Sequence, residues 1–326
     1  MNTFGRLFRV SIYGESHGNQ VGILIDGCPP GIPLELEDFS EDLSRRKAGA
    51  KGTTPRLEED KPFISSGVFE GKTTGAPINI IFENKNTRSK DYSKFQDQPR
   101  PGHADFTAMK KYKGANDYRG GGQFSGRLTL GIVAAGVIAK KIISVAEFNA
   151  ELIEAGGNKD IEKAIEKAID NNDTIGGVVE CKISGLDIGL GEPFFDSVES
   201  LISHIIFSVP AIKGIEFGRG FESARISGSE NNDVFISTDG KTETNNAGGI
   251  NGGLTNGNEV VFRVAIKPAS SIRADQETIN LKSDKIEKLR IEGRHDTCLA
   301  LRFPPIIESA AAVALADLYL INKAYK

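Results

Sequence analysis

The sequence predicts one α/β body, a single domain over residues 1–326, and three observations carry that reading. The 326-residue chain is long enough to bury a substantial core. Strand-like and helix-like runs follow one another along its whole length, and no linker, solenoid repeat or low-complexity tract separates them. Apolar residues make up 39% and charged residues 26%, a soluble globular balance. The net charge of −4 gives no general case for nucleic acid or membranes, so any anion site must be a local concentration of Lys and Arg. Cys28, Cys181 and Cys298 show no CxxC spacing, which argues against a zinc site or disulfide framework and for a reducing, cytoplasmic home. The N-terminus lacks a signal-peptide core, and no run approaches the ~18 consecutive apolar residues of a membrane span.

Residues 6–13 and 21–26 read as strands around the loop GESHG, and Cys28-Pro29-Pro30-Gly31 turns the chain after them. Residues 37–47 predict a helix, since Phe39 and Leu43 fall on one face, with Arg45, Arg46 and Lys47 at its end. Those cations also suit a helix C-terminus electrostatically, so structural and binding roles both stand. A hairpin-like pair follows at 63–69 and 78–83, then a polar segment from Lys85 to Pro99 that reads as a mobile loop. Residues 128–143 predict an apolar helix, 146–153 a strand, 160–170 a charged helix and 176–183 another strand. Beyond these come a helix at 197–207, in which His204 reads as a structural histidine, a short strand at 214–218 and an exposed loop at 227–233. The glycine-dense run from Asn245, the strand EVVFRVAI and a long apolar helix at 306–319 complete the chain.

The stretch from Arg100 to Lys141 organises the rest. It sets His103 and Asp105, a patch of Lys110, Lys111 and Lys113, then Arg119, three glycines at 120–122, Ser125 and Arg127 before an apolar helix. Glycines allow close backbone approach, and helix N-terminal amides attract anions. Ser125 and Arg127 add a hydroxyl and a fork for phosphate. His17, His103 and His295 sit in loops beside glycine, arginine or acid, where a side chain titrating near neutrality suits proton transfer. With Arg45, Arg46, Arg56, Arg127 and Arg294 they point to acid/base chemistry on an anionic substrate. Two rival motifs fail on context. Gly71-Lys72-Thr73 lacks the P-loop's earlier glycine, where Ser66 stands. GESHG matches the GxSxG nucleophile elbow, yet Ser16 lies too near the N-terminus for the strands and oxyanion loop that precede one.

Taken together, GESHG with VGILIDGCPPGIPL, RRKAG with TTPRLEED, SGVFEGKTTGAPI, RPGHADFT with DYRGGG, DTIGGVVE, KGIEFGRGF, GGINGGLTNG, KPASSI and GRHDTC resemble the chorismate synthase family, in the family's order. The resemblance implies a sandwich of antiparallel sheets around central helices, assembled as a homotetramer. It implies a lyase that turns 5-enolpyruvylshikimate 3-phosphate into chorismate and phosphate by a 1,4-elimination needing reduced FMN. An external supply of reduced flavin is expected, and use of NADPH by this chain stays open.

Carried over by position, the resemblance assigns His103 to protonating the departing phosphate and His17 to protonating the reduced flavin. Asp296 would work with the flavin in removing the C6 proton. Arg46, Arg56, Arg127 and Arg294 would meet the substrate's anionic groups, with Arg45 and Lys51 as lesser candidates. Flavin contacts would come from Gln123, Phe124 and Ser125, Ala211, Gly252, the run Lys267, Pro268, Ala269, Ser270 and Ser271, and Arg294. The chain departs from the family where GGGQFSGR replaces GGGRSSAR, which puts Gln123 and Phe124 in place of arginine and serine, and where Ala48 replaces proline. Those changes motivate one alternative, a relative that binds FMN or a phosphorylated acid without turnover.

Overall fold

The structure, a computed structural model, describes residues 2–54, 58–86, 89–291, 293 and 295–325. Strands β1 (Thr3–Phe4), β2 (Arg9–Gly14) and β3 (Gln20–Asp26) open the chain, and α1 (Ser40–Arg46) follows a 3-10 turn at Leu36–Phe39. Then come β4 (Phe63–Ser66), a small hairpin of β5 (Val68–Phe69) and β6 (Lys72–Thr73), and β7 (Ile78–Glu83). Helices α2 (Asp105–Lys111) and α3 (Thr129–Ile142) lead to β8 (Glu147–Ala155), α4 (Ile161–Asp170), β9 (Gly177–Ser184), α5 (Val198–Ile206) and β10 (Ile212–Phe217). The one-turn α6 (Gly228–Asn231) precedes a tiny hairpin, β11 (Ile250–Asn251) and β12 (Leu254–Thr255). After it stand β13 (Val260–Ile266), the hairpin β14 (Gln276–Asn280) and β15 (Lys285–Leu289), and α7 (Pro304–Ala324).

Two antiparallel sheets enclose the helices. One runs β1-β2-β3-β7-β4 and the other β10-β13-β9-β8. Helix α3 packs on the first sheet, α7 on the second, and the two helices pack on each other. The expected sandwich around central helices is therefore present. Alternation of burial along β7 and β9 turns one face of each sheet to this core. The helices are apolar all round because they are covered all round: every residue from Thr129 to Ala139 and from Pro305 to Leu318 is buried. On length and composition α7 could cross a membrane, yet 78% of its apolar window is buried inside the protein. The three cysteines are buried and unpaired.

Two carboxylates inside α7 staple distant segments to it. Asp317 accepts backbone N–H groups of Arg6, Leu7 and Phe8 at 2.7–3.0 Å, which fixes the N-terminal turn. Glu308 takes a bidentate pair from Arg45 at 2.8 and 2.6 Å, Lys140 at 3.1 Å and the Ala150 N–H at 2.9 Å. A buried carboxylate with four donors is satisfied rather than strained.

Three segments differ from the sequence expectation. The polar stretch before Pro99 holds a 3-10 helix at Ser89–Gln96, whose Phe95 is buried against Leu289 and Ile291. The hairpin β14–β15 that covers it was not expected, and residues 228–231 form a helical turn inside the expected loop. Lys72 and Thr73 are a hairpin strand and not a phosphate loop.

Helices α3 and α7 meet where Gly136 faces Ser309. A Cβ on Gly136 would stand 2.2 Å from the Ser309 Cβ and 2.5 Å from its Cα. Gly136→Ala must therefore push the helices apart, and we expect it to lower unfolding stability by about 1–3 kcal/mol, read from the denaturant midpoint.

Candidate active site

The loop GESHG joins β2 to β3 at one end of the first sheet and is fastened from outside. The Ser16 N–H donates to the Gly122 carbonyl at 3.1 Å, and the Asn84 amide donates to the carbonyls of Glu15 and Gly18 at 3.0 and 2.9 Å. The same Asn84 accepts from Arg127 Nε, so the loop and the start of α3 are positioned together. Gly120, at φ 60°, lies on the His17 imidazole, and a Cβ there would fall 2.4 Å from the ring. Only glycine fits both the backbone and the contact. The other side of the His17 ring meets Tyr92 edge-on, centroids 5.1 Å apart.

Beside this loop opens a cleft lined by Ser16, Arg46, Arg100, Arg127, Asp296 and Arg302 among others. Arg46, on the last turn of α1, donates to Thr129 Oγ1 at 2.9 Å, to the Gly126 carbonyl at 3.0 Å and to Asp60 at 3.4 Å. Burial, and next Arg302, push its pKa down to about 9 against the pull of Asp60, so it stays a cation at neutral pH. Arg127 donates to the other Asp60 oxygen at 2.9 Å and to the Glu83 carbonyl at 3.1 Å. Asp60 thus couples the two guanidiniums. Asp296 accepts the Thr54 N–H at 2.9 Å and Arg302 Nη1 at 3.3 Å, while Arg302 Nε holds the Arg46 carbonyl at 3.0 Å. Ser16 Oγ is buried in the cleft wall with no hydrogen-bond partner among the described residues. An orphaned buried hydroxyl in a cationic cleft suits an anionic ligand.

His103 belongs to a separate cluster. Arg100 grips Asp105 through Nε and Nη2 at 2.8 Å each, and its remaining terminal nitrogen holds Ser271 Oγ at 3.0 Å. His103 Nδ1 lies 2.6 Å from Asp105 Oδ1 and 3.1 Å from Arg100 Nη2. The shorter contact to the carboxylate makes Nδ1 the protonated nitrogen, and Nε2 lies on the Gly121 side. Burial lowers the His103 pKa below 6.5 more than Asp105 raises it, and Arg100 adds to the lowering. Burial pushes the Asp105 carboxyl up, but Arg100 and His103 outweigh it and hold the group well below the usual carboxylate range. Lys267 Nζ and Ser270 Oγ both donate to the Gly102 carbonyl, at 2.7 and 2.8 Å, so the run after β13 closes on the His103 loop. His103 lines an aromatic pocket with Phe95, Phe106, Gly121 and Phe124.

Phe124 also borders a third cavity, mostly apolar, with Gln123, Ser125 and Pro210 on its wall. Ser125, Thr129 and Pro210 line both this cavity and the arginine cleft, so the two adjoin. A cationic cleft beside an apolar cavity, two imidazoles and an orphaned hydroxyl can hold a polyanion next to a flat aromatic ring.

The family model for chorismate synthase matches residues 8–320. The chain belongs to the chorismate synthase family. It is similar to the chorismate synthase of Chitinophaga pinensis, 62% identical over 324 residues that cover 99% of this chain and 98% of that one. It is also similar to that of Methanocaldococcus jannaschii, 43% identical over 98% of this chain and 96% of that one. A solved crystal structure of chorismate synthase matches with a TM-score of 0.74 at 25% identity, over 98% of this chain and 93% of that one. Membership makes the chain a carbon–oxygen lyase of the shikimate pathway, in aromatic amino acid biosynthesis.

Against the family's expected residues, the structure gathers Arg46, Arg127 and Asp296 in the cleft and seats His17 at its edge. Arg56 and Arg294 lie outside the described residues. Arg45 turns the other way, a half-exposed cation whose bonds to the buried Glu308, first of all, raise its pKa, and it does not line the cleft. Lys51 is an exposed cation paired with Glu166 at 2.5 Å. Gly252 sits in the turn of β11–β12, whose neighbour Gly253 packs on Ser197, and it lines none of the three cavities. Ala211, at φ 76°, accepts the Lys267 N–H at 2.9 Å and so anchors the run from Lys267 to Ser271. The patch at Lys110, Lys111 and Lys113 lines none of these cavities either, and Arg119 is paired with Asp117. Sequence reasoning missed Asp60, Tyr92 and Arg302, and did not single out Arg100. Only an arginine two residues before the Pro-Pro start of α7 hinted at Arg302.

In the ligand-free enzyme we expect the His103 Cε1 proton to titrate below pH 6.5 by NMR. Asp105→Asn removes the group that favours the imidazolium, so the midpoint should move lower still. A midpoint that rises would contradict the assignment of forces.

Proposed function

We propose that the cleft binds 5-enolpyruvylshikimate 3-phosphate and that the chain converts it to chorismate and phosphate with reduced FMN bound alongside. The observation that carries this reading is the cleft itself: four arginines and an orphaned Ser16 hydroxyl line it, and it adjoins an apolar cavity. The residues present fit the flavin. Gln123, Phe124, Ser125 and Pro210 would flank the ring, while Lys267 and Ser270, both bonded to the Gly102 carbonyl, would tie the neighbouring loops together. Bound reduced FMN supplies electron density that helps the phosphate leave and is regained, so the reaction has no net redox change.

The C3–O bond to phosphate breaks, a proton leaves C6, and a second ring double bond forms. Arg46 and Arg127, held rigid by Asp60, stabilise the charge that gathers on the departing phosphate. Its proton would come from His103, whose partner Asp105 is held by Arg100 on the cleft wall. A phosphate anion beside the ring would raise the lowered pKa of His103 and let it hold that proton. His17, packed against Gly120 and Tyr92, would serve the reduced flavin, as the resemblance implies. Asp296, which accepts from Thr54 and Arg302, would take up the C6 proton. Family likeness also supports a homotetramer, a cytoplasmic setting and an external source of reduced flavin.

Anaerobic turnover with chemically reduced FMN should release chorismate and phosphate in equal amounts, and none without it. His17→Ala and His103→Ala should each cost at least ~100-fold in rate. Only His17→Ala should also alter the absorption spectrum of bound FMN. Flavin binding without either product would favour the binding-only alternative, and a spectral change confined to His103→Ala would reverse the two histidines.

A further inference from the structure

The cleft arginines differ in how much of each guanidinium the protein has already used. Arg46 donates from Nε, Nη1 and Nη2 to Thr129, Asp60 and Gly126. Arg127 does so to Asn84, Asp60 and Glu83, and Arg100 to Asp105 and Ser271. Their side chains are only 3%, 7% and 4% exposed. Arg302 is the exception at 19%: Nε and Nη1 are engaged by the Arg46 carbonyl and Asp296, and Nη2 has no acceptor among the described residues. An arginine with one terminal nitrogen on a catalytic carboxylate and the other turned to a ligand cleft is placed to hold two acceptors side by side.

The chemistry of the substrate names the second acceptor. C6, where the proton is lost, is bonded to C1, and C1 carries the ring carboxylate; the phosphate is on C3, across the ring. C6 is also bonded to C5, but the enolpyruvyl carboxylate there lies farther off, beyond an ether oxygen and a vinyl carbon, so a guanidinium that holds Asp296 beside C6 reaches the C1 carboxylate first with its neighbouring nitrogen. We propose that Arg302 is a substrate-binding residue that grips the C1 carboxylate through Nη2 while Nη1 orients Asp296 toward C6. This rests on the reading of the cleft given above. It also separates the anion sites: phosphate lies toward Arg46 and Arg127, and the ring carboxylate toward Arg302.

The test is titration calorimetry on FMN-saturated enzyme in air, where the flavin stays oxidised and nothing turns over. The ligands are 5-enolpyruvylshikimate 3-phosphate and its C1 carboxamide, which has the same shape without that charge. Wild type should prefer the acid by about 10–100-fold, the range of a charge-assisted pair. Arg302→Gln should lose most of this preference while binding the carboxamide within ~3-fold of wild type, and Arg302→Lys should keep part of it. Equal loss for acid and carboxamide in both variants would reduce Arg302 to a scaffold for Arg46 and Asp296 and overturn the proposal. An undiminished preference in Arg302→Gln would overturn it as well. If wild type bound neither ligand, the reading of the cleft would fall and this proposal with it.

Discussion

The close crossing of α3 over α7 is the constraint on which the rest depends. Gly136 and Ser309 allow the two helices to touch nearly backbone to backbone, and each helix carries one sheet on its outer side. The crossing also fixes where their beginnings lie. Ser125, Gly126, Arg127 and Thr129 at the start of α3, and Leu299, Arg302, Phe303 and Ile306 at the start of α7, line the same cleft. The positive ends of two helix dipoles converge there. Anion binding in this fold is thus a consequence of how the core is packed, and the arginines strengthen a field that the backbone begins.

Those arginines are held mainly by the protein itself. Asp60 ties Arg46 to Arg127, Asp296 ties Arg302 to the backbone at Thr54, and Asp105 ties Arg100 to His103. Each carboxylate offsets part of the repulsion among cations that would otherwise push the cleft open. Because the guanidiniums are fixed before a ligand arrives, little reorganisation remains when charge moves during bond cleavage. The uncommitted groups, the Ser16 hydroxyl and the outer edge of Arg302, mark where the ligand must complete the bonding.

Local sequence pattern accounts for the elements that local pattern governs. The apolar runs at 128–143 and 306–319 became α3 and α7, and the alternating runs became the central strands. Neither the sandwich nor its sheet order was legible in that way; both came from resemblance. The Ser89–Gln96 helix was hidden by its polar composition, since Phe95 needs a lid from β14–β15, which lies far along the chain. Arg45 and Arg46 show the same limit at the site. They are adjacent in sequence and roughly 100° apart on the helix, so one reaches Glu308 in the core and the other the start of α3. Asp60 and Arg302 were missed because their partners come from other segments of the chain.

The departures at Gln123 and Phe124 can be weighed by position. Both side chains lie on the wall of the apolar cavity, and Phe124 leans toward Tyr112 at 6.3 Å between centroids. Neither residue lines the arginine cleft. On the proposed function the lost charge and the added ring would therefore bear on the cofactor side, where an aromatic surface can replace part of an ionic contact by stacking. The cleft arginines and Ser16 are untouched by either change, because Gly120 and Gly126 line the cleft while Gln123 and Phe124, between them in sequence, line the apolar cavity.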